Sequence, residues 1–287
     1  MLLWGAAYVP SAWLVETWPP ISAAGARLAL AGVVLLVVLA VRGQRLSPGV
    51  GVSTVVWLAL TQTVLFYGAT FWGIANAGAG LAAVLANTDP LFVAALATVF
   101  LGERLGTTQW MGLCLGLLGA GFVVWEGPLW PVSVSGDALI VVGGALAWSV
   151  GTVVASRSVR ASADPLSLAA WQMASGGIVL GFTGILVEHH GPAGSRELSL
   201  ILGLGIIGSA VPLALFYLAL ALAPAAEVSA WFFLIPLIGV LSAWPLLGES
   251  PSPRLLVGLV GVSAGLWLVL GRRSPGEGRS VNSPPPP

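Results

Sequence analysis

The sequence predicts an all-α integral membrane protein of ten transmembrane helices, arranged as two inverted five-helix repeats. Three observations carry this. Only 8% of the 287 residues are charged and 57% are hydrophobic, with a mean hydropathy of +0.97. A soluble domain carries about 25% charged residues, so this chain cannot cover a water-facing surface. Apolar runs long enough to cross a bilayer, about 20 residues each, recur from end to end. Finally, the segment 89–121 matches the segment 235–265, with residues 89–119 and 235–265 standing at a constant offset of 146.

The runs fall at 2–18, 21–42, 52–74, 79–101, 107–126, 134–156, 165–187, 198–222, 225–247 and 253–271. Only Met1 to Leu3 precede Trp4-Gly5, so the first helix is expected to have little or no leader. A cleaved signal peptide does not fit, because a basic leading segment is missing and nine further runs follow. The softest boundary is "IANAGAG", where the third run meets the fourth. Strand-like alternation is absent, and the runs are twice the length of a membrane barrel strand. Residues 272–287, "RRSPGEGRSVNSPPPP", are polar and rich in Pro, Gly and Ser, the composition of a disordered tail.

Every basic residue is an arginine. With ten spans, one side collects Arg42, Arg45, Arg104, Arg157, Arg160, Arg272, Arg273 and Arg279, and the other only Arg196 and Arg254. Arginine bias in short loops marks the cytoplasmic side. Both termini, including the tail, are therefore expected in the cytoplasm, with the chain multi-pass in a membrane. A formal net charge of zero argues against a nucleic-acid partner, which requires basic patches. The single cysteine, Cys114, allows no intrachain disulfide and reads as a small core hydrophobe.

The repeat divides the chain into 1–128 and 134–271. At the offset of 146, Pro90 aligns with Pro236, Leu101-Gly102-Glu103 with Leu247-Gly248-Glu249, Gly112 with Gly258 and Gly119 with Gly265; at 144, Trp4 meets Trp148 and Gly32 meets Gly176. Five spans per copy is an odd number, so the second copy enters the membrane inverted. Inverted repeats are one route to alternating access around a midplane site.

These residues resemble the EamA-type members of the drug/metabolite transporter superfamily. The resemblance rests on Trp4-Gly5, Pro19-Pro20 followed by Arg27, Pro90 followed by Leu101-Gly102-Glu103, and the counterparts Trp148, Pro236 and Leu247-Gly248-Glu249, and it covers residues 1 to about 271. It implies ten spans in two repeats, secondary transport of small metabolites, often as export, and a central cavity. The first four helices of each repeat would surround that cavity and the fifth would pack outside. Ile235 stands where Asp89 has its repeat equivalent, so the proline belongs to the scaffold and the acid is an addition.

Asp89 is the leading candidate for function. A carboxylate at the centre of a span costs about 2.5–3.5 kcal/mol, and taking up a proton relieves that cost. Pro90 cannot donate to the carbonyl of Ala86, and Asn87 and Thr88 add polar atoms at the same break. Irregular backbone at membrane depth persists only beside protein or a wet cavity. Asp89 thus reads as a proton site or a substrate-amine site, against the plainer alternative of a permanently protonated acid bonded to a neighbouring helix. Arg27 lies about 6 Å from Asp89 in depth at 1.5 Å per residue. It either pairs with Asp89 or extends to the headgroups.

Glu103 and Glu249 read as polar helix terminators beside Arg104 and Arg254, with gating as the alternative. Glu227 reads as an acid favoured by its helix N-terminus. Other polar atoms within spans are Gln62, Asn76 and Gln172. Thirteen tryptophans exceed what a cavity needs, and an interfacial belt accounts for Trp18, Trp110, Trp125, Trp130 and Trp267. Mid-span aromatics are the cavity candidates: Tyr67, Phe71, Trp171 and Trp231. Such a wall suits an amphipathic, neutral or zwitterionic solute, or a cation over ring faces.

The small-residue patterns "GLCLG" (112–116), "GIVLG" (177–181) and "GVSAG" (261–265) permit close helix packing, within the bundle or across a homodimer. "GLGIIG" (203–208) lies inside an apolar run without the strand that a dinucleotide fingerprint requires. His189-His190 has no ligating company, so no metal or cofactor is expected. The reading is a secondary transporter, in the direction of export, for small organic metabolites or drug-like compounds, with protons coupled through Asp89. The alternative is a membrane-embedded enzyme acting on a lipid, which should show clustered acids or histidines at an interface; none is present. A scaffold without transport would need neither a buried acid nor a proline break in both halves.

Overall fold

The computed structural model describes residues 1–77, 79–124, 136–188, 193–247 and 253–271, and all regular structure among them is helical. The first apolar run breaks at Ala7 into α1 (Leu2–Ala6) and α2 (Tyr8–Thr17). Pro19 and Pro20 then start α3 (Pro20–Val41), since a first-turn proline gives up an N–H that has no helical partner. The third run consists of α4 (Val52–Leu58), a π-helical segment (Ala59–Leu65) and α5 (Phe66–Ala77). The fourth consists of α6 (Ala79–Ala86), a break at Asn87-Thr88 and α7 (Asp89–Phe100).

α8 (Thr107–Val124) and α9 (Gly136–Ala161) precede α10 (Pro165–Val187), whose cap Asp164 accepts the Ser167 N–H at 2.7 Å. Next come α11 (Ser195–Gly205), a second π-helical segment (Ile206–Ala210) and α12 (Val211–Leu222). α13 (Ala225–Ala230), a 3-10 turn (Trp231–Phe233), α14 (Leu234–Leu247) and α15 (Pro253–Leu270) complete the order.

Among the described residues, six stretches are long and apolar enough to cross a membrane: Pro20–Val41, Val52–Asn76, Ala82–Phe100, Gly136–Ala161, Pro165–Val187 and Ser195–Leu222. α9 continues to Ala161 instead of stopping at 156. Arg157 and Arg160 therefore lie in its final turns, where the helix dipole favours cations. α11 likewise begins at Ser195, three residues before the expected start. Glu249, His189-His190, Trp125, Trp130, the junction between the halves and the tail lie outside the described residues.

Two helix pairs hold the bundle through close backbone approach. α3 packs on α10, where a Cβ added to Gly25 would stand 2.1 Å from the Gly181 nitrogen. α8 packs on α15, where a Cβ on Gly112 would stand 2.7 Å from the Gly265 oxygen. The small-residue stripes are used within the chain, which is the close packing they permit. Cys114 departs from expectation: on α8 it is exposed and not part of the core. The outward surfaces are apolar too, as Val37, Phe182, Ile185 and Trp267 show. A helix that is apolar all round suits lipid, not water.

Candidate functional site

At the α6–α7 break, polar side chains bond to backbone carbonyls on either side of the turn. Asn87 Nδ2 donates to the Ala83 carbonyl at 2.6 Å and Thr88 Oγ1 to that of Leu85 at 2.7 Å. From α9, Ser149 Oγ donates to the Asp89 carbonyl at 3.1 Å and to the Ala145 carbonyl at 2.8 Å. Such local bonds let a helix stop and restart inside an apolar bundle. The Asp89 side chain is only 1% exposed, and its Oδ2 has no hydrogen-bond partner among the described residues. A buried polar atom without a partner is costly, so this oxygen is a place where a ligand or a proton gains most.

Arg27 is 3% exposed and turns into the protein, so it neither reaches the headgroups nor pairs with Asp89. Its Nη1 donates to Ser11 Oγ at 2.9 Å, its Nε to Ser209 Oγ at 2.7 Å, and its Nη2 to the Gly208 carbonyl at 3.1 Å. The last bond follows from the sequence of the second π-helical segment. Pro212 has no N–H to offer the carbonyl four residues before it, which is that of Gly208. Arg27 supplies a donor to it from another helix. Its guanidinium also lies 5.5 Å from the Tyr67 ring centroid and 5.4 Å from that of Phe71.

Asp89, Asn87 and Arg27 share one open-mouthed cavity of about 530 Å³, mouth included. Tyr67 and Phe71 line it. So do Trp4, Tyr8, Phe66, Trp148 and Phe232. Trp4, Trp148, Phe216 and Phe232 form a ring cluster with centroids 5.2–6.0 Å apart, mostly edge-on or tilted. Polar atoms on the wall without a hydrogen-bond partner among the described residues also include Thr70 Oγ1 and Trp148 Nε1.

The other candidates lie elsewhere. Gln62 is fully buried, donates to Thr152 Oγ1 at 3.2 Å and accepts from the Tyr217 hydroxyl. Gln172 accepts from Thr63 Oγ1 at 2.6 Å. They form a polar seam beside the first π-helical segment and do not line the cavity. Trp171 and Trp231 are 41% and 43% exposed and face outward, the former donating to the Leu46 carbonyl at 2.7 Å. Pro236 is buried within α14, and Glu227 stands in the first turn of α13, as its helix-dipole reading requires.

Glu103 does more than end a helix beside Arg104. Gly102, at φ +69°, turns the chain, a conformation glycine adopts without strain. Glu103 then accepts the Ala225 N–H at 2.7 Å and the Ala226 N–H at 3.1 Å, capping α13. Arg160 lies 3.6 Å from the same carboxylate and donates to the Leu220 and Ala223 carbonyls at the end of α12. Acid on the N-terminus and base on the C-terminus complement both helix dipoles. Across the bundle, Glu188 similarly accepts the N–H groups of Ile21 and Ser22 at 2.9 and 2.8 Å. Sequence reasoning gave Glu188 no role.

It also used Trp4 and Trp148 only as markers of the repeat and overlooked them as wall residues. Their alignment was the available signal, since residues equivalent in two halves can meet where the halves join. Among the described residues no group of three or more His, Cys, Asp or Glu could hold a metal ion.

The chain is similar to known proteins along most of its length. The sequence profile of the EamA-like transporter family matches residues 1–125 and 135–271. An uncharacterized inner membrane transporter of Escherichia coli K12, YedA, is 29% identical over 88% of this chain and 81% of its own length. A WAT1-related chloroplastic protein of Arabidopsis thaliana is 28% identical over 93% of this chain and 66% of its own length. A probable terminal-alkyne amino-acid exporter of Streptantibioticus cattleyicolor is 29% identical over 74% of this chain and 71% of its own. A protein of known crystal structure, 18% identical, superposes with a TM-score of 0.77 over 94% of each chain.

Proposed function

The chain belongs to the EamA-like transporter family, and from that premise we propose that it exports a small organic solute by alternating access, with proton exchange at Asp89. The family membership itself makes it a membrane transporter and not an enzyme. The observation that carries the finer reading is the Asp89 carboxylate, buried at a helix break, facing a cavity, with one oxygen unpartnered among the described residues.

Ten spans follow if each interrupted helix counts once: α1 with α2, α4 with α5, α6 with α7, α11 with α12, and α13 with α14. Two inverted halves are supported by the two matched ranges of the family profile. Further support comes from π-helical segments in the third and eighth runs. Trp4 and Trp148, aligned as equivalents, also touch at 6.0 Å. Rocking of the halves about that contact would expose Asp89 to one side and then the other. Arginine bias supports cytoplasmic termini, the YedA relative supports a bacterial inner membrane, and the exporter relative supports the outward direction.

The test is flux in liposomes under an imposed pH gradient. Solutes are chosen beforehand by screening overexpressing cells for altered sensitivity. Wild-type flux is expected to follow the gradient and Asp89→Asn flux to ignore it. Identical pH behaviour of the two proteins would remove Asp89 as the coupling group.

A further inference from the structure

The cavity holds two residues of opposite charge, and the structure treats them differently. Arg27 commits Nε, Nη1 and Nη2 to Ser209, Ser11 and Gly208, and two aromatic rings lie within 5.5 Å of its guanidinium. Its charge serves the scaffold: it closes the carbonyl left open by Pro212 and joins α3 to the second π-helical segment. Asp89 is committed by its backbone, through Ser149, while its Oδ2 stays unpartnered among the described residues. The remaining wall is largely aromatic, with Trp4, Phe66, Phe71, Trp148 and Phe232 lining the same cavity as the acid.

We infer that the cavity is a cation site, taking an organic amine with its ammonium group on Asp89 Oδ2 and its apolar body against the rings. This rests on the transport reading above and names the substrate class of that site. A ring face attracts a cation through its quadrupole, so wall and carboxylate select the same charge. An anionic solute meets the opposite situation, a carboxylate near its own and a guanidinium with three of its five N–H groups already engaged. A zwitterion gains at one pole and loses at the other. The unpartnered Trp148 Nε1–H and Thr70 hydroxyl can serve an uncharged acceptor on the amine's body, such as an ether or carbonyl oxygen. Selection of this kind combines attraction for one class with an unpaired charge against another.

Calorimetric titration of the protein in nanodiscs with four matched probes tests this: 2-phenylethylamine, 2-phenylethanol, 3-phenylpropanoate and phenylalanine. The amine should bind at least about tenfold tighter than the alcohol, as one charge-assisted contact predicts, with the acid weakest and phenylalanine no tighter than the alcohol. Asp89→Asn should bring the amine down to the alcohol's affinity, and Asp89→Glu should keep the preference. The inference is overturned if the acid or phenylalanine binds tighter than the amine, or if the amine preference survives Asp89→Asn. Flux above that of protein-free vesicles separates this from the transport reading. An amine that binds as expected but does not cross leaves the cation site standing and removes transport. Asp89-dependent flux of phenylalanine without amine binding does the reverse.

Discussion

Helix α7 carries an acid at each end, and the two are handled in opposite ways. Asp89 opens the helix, buried at a break, with an oxygen that no described residue satisfies. Glu103 lies just beyond its other end, with two backbone amides and an arginine on its carboxylate. The helix between them is about 18 Å long at 1.5 Å per residue. A satisfied acid reports on stability, because removing it leaves donors unpaired. An unsatisfied buried acid reports on function, because only a ligand or proton completes it. The difference also shows why a charged residue in a span cannot be interpreted from its identity alone.

The strongest way to break the comparison is Asp89→Asn. Transport is expected to fall about 100-fold, the loss of one charge-assisted contact of about 2–3 kcal/mol. Thermal stability should hold or rise, because the amide is neutral and of similar shape. A destabilised protein would mean that Asp89 is bonded structurally and that the two acids do not differ in kind. At the other end, Glu103→Ala should lower stability by about 1–2 kcal/mol, as loss of a helix cap does, with transport reduced only a few-fold. Thermal unfolding in detergent checks this, and a transport loss as large as at Asp89 would make the clamp part of the site.

Arg160→Gln sharpens the picture at smaller amplitude. The arginine is partly exposed and its ion pair spans 3.6 Å, so about 0–1 kcal/mol is expected. Adding salt should lower wild-type stability towards that of the variant. Trp148→Phe, which keeps a ring and removes the N–H, is expected to have the smallest effect. Affinity for an amine bearing an ether oxygen should drop a few-fold, with no change for the same amine without it.

Much of this molecule was legible in order along the chain. The helix ends follow prolines and caps: Pro20, Pro165 and Pro212 in first turns, Asp164 before α10. The break at Asn87-Thr88 was readable from Pro90, and Tyr67, Phe71, Asn87, Asp89 and Arg27 do share one cavity. What could not be read was which way a side chain faces once a helix is irregular. Depth advances steadily, but azimuth turns by about 100° per residue, and a π-helical or 3-10 segment shifts everything beyond it. Gln62 sits inside one such segment and Trp231 opens another. Both look central by depth, and neither lines the cavity.

The sequence by itself determined the solvent, since hydropathy is a local property summed along the chain, and it singled out Asp89 as the acid without a counterpart at Ile235. Only the tertiary structure decided what each polar group meets. Arg27 finds the Gly208 carbonyl 181 positions away instead of Asp89, Glu103 finds α13 instead of Arg104, and Trp4 finds Trp148. Those pairings depend on how helices rotate and cross within the bundle, which brings Arg27 to the Gly208 carbonyl and leaves Asp89 Oδ2 without a partner among the described residues.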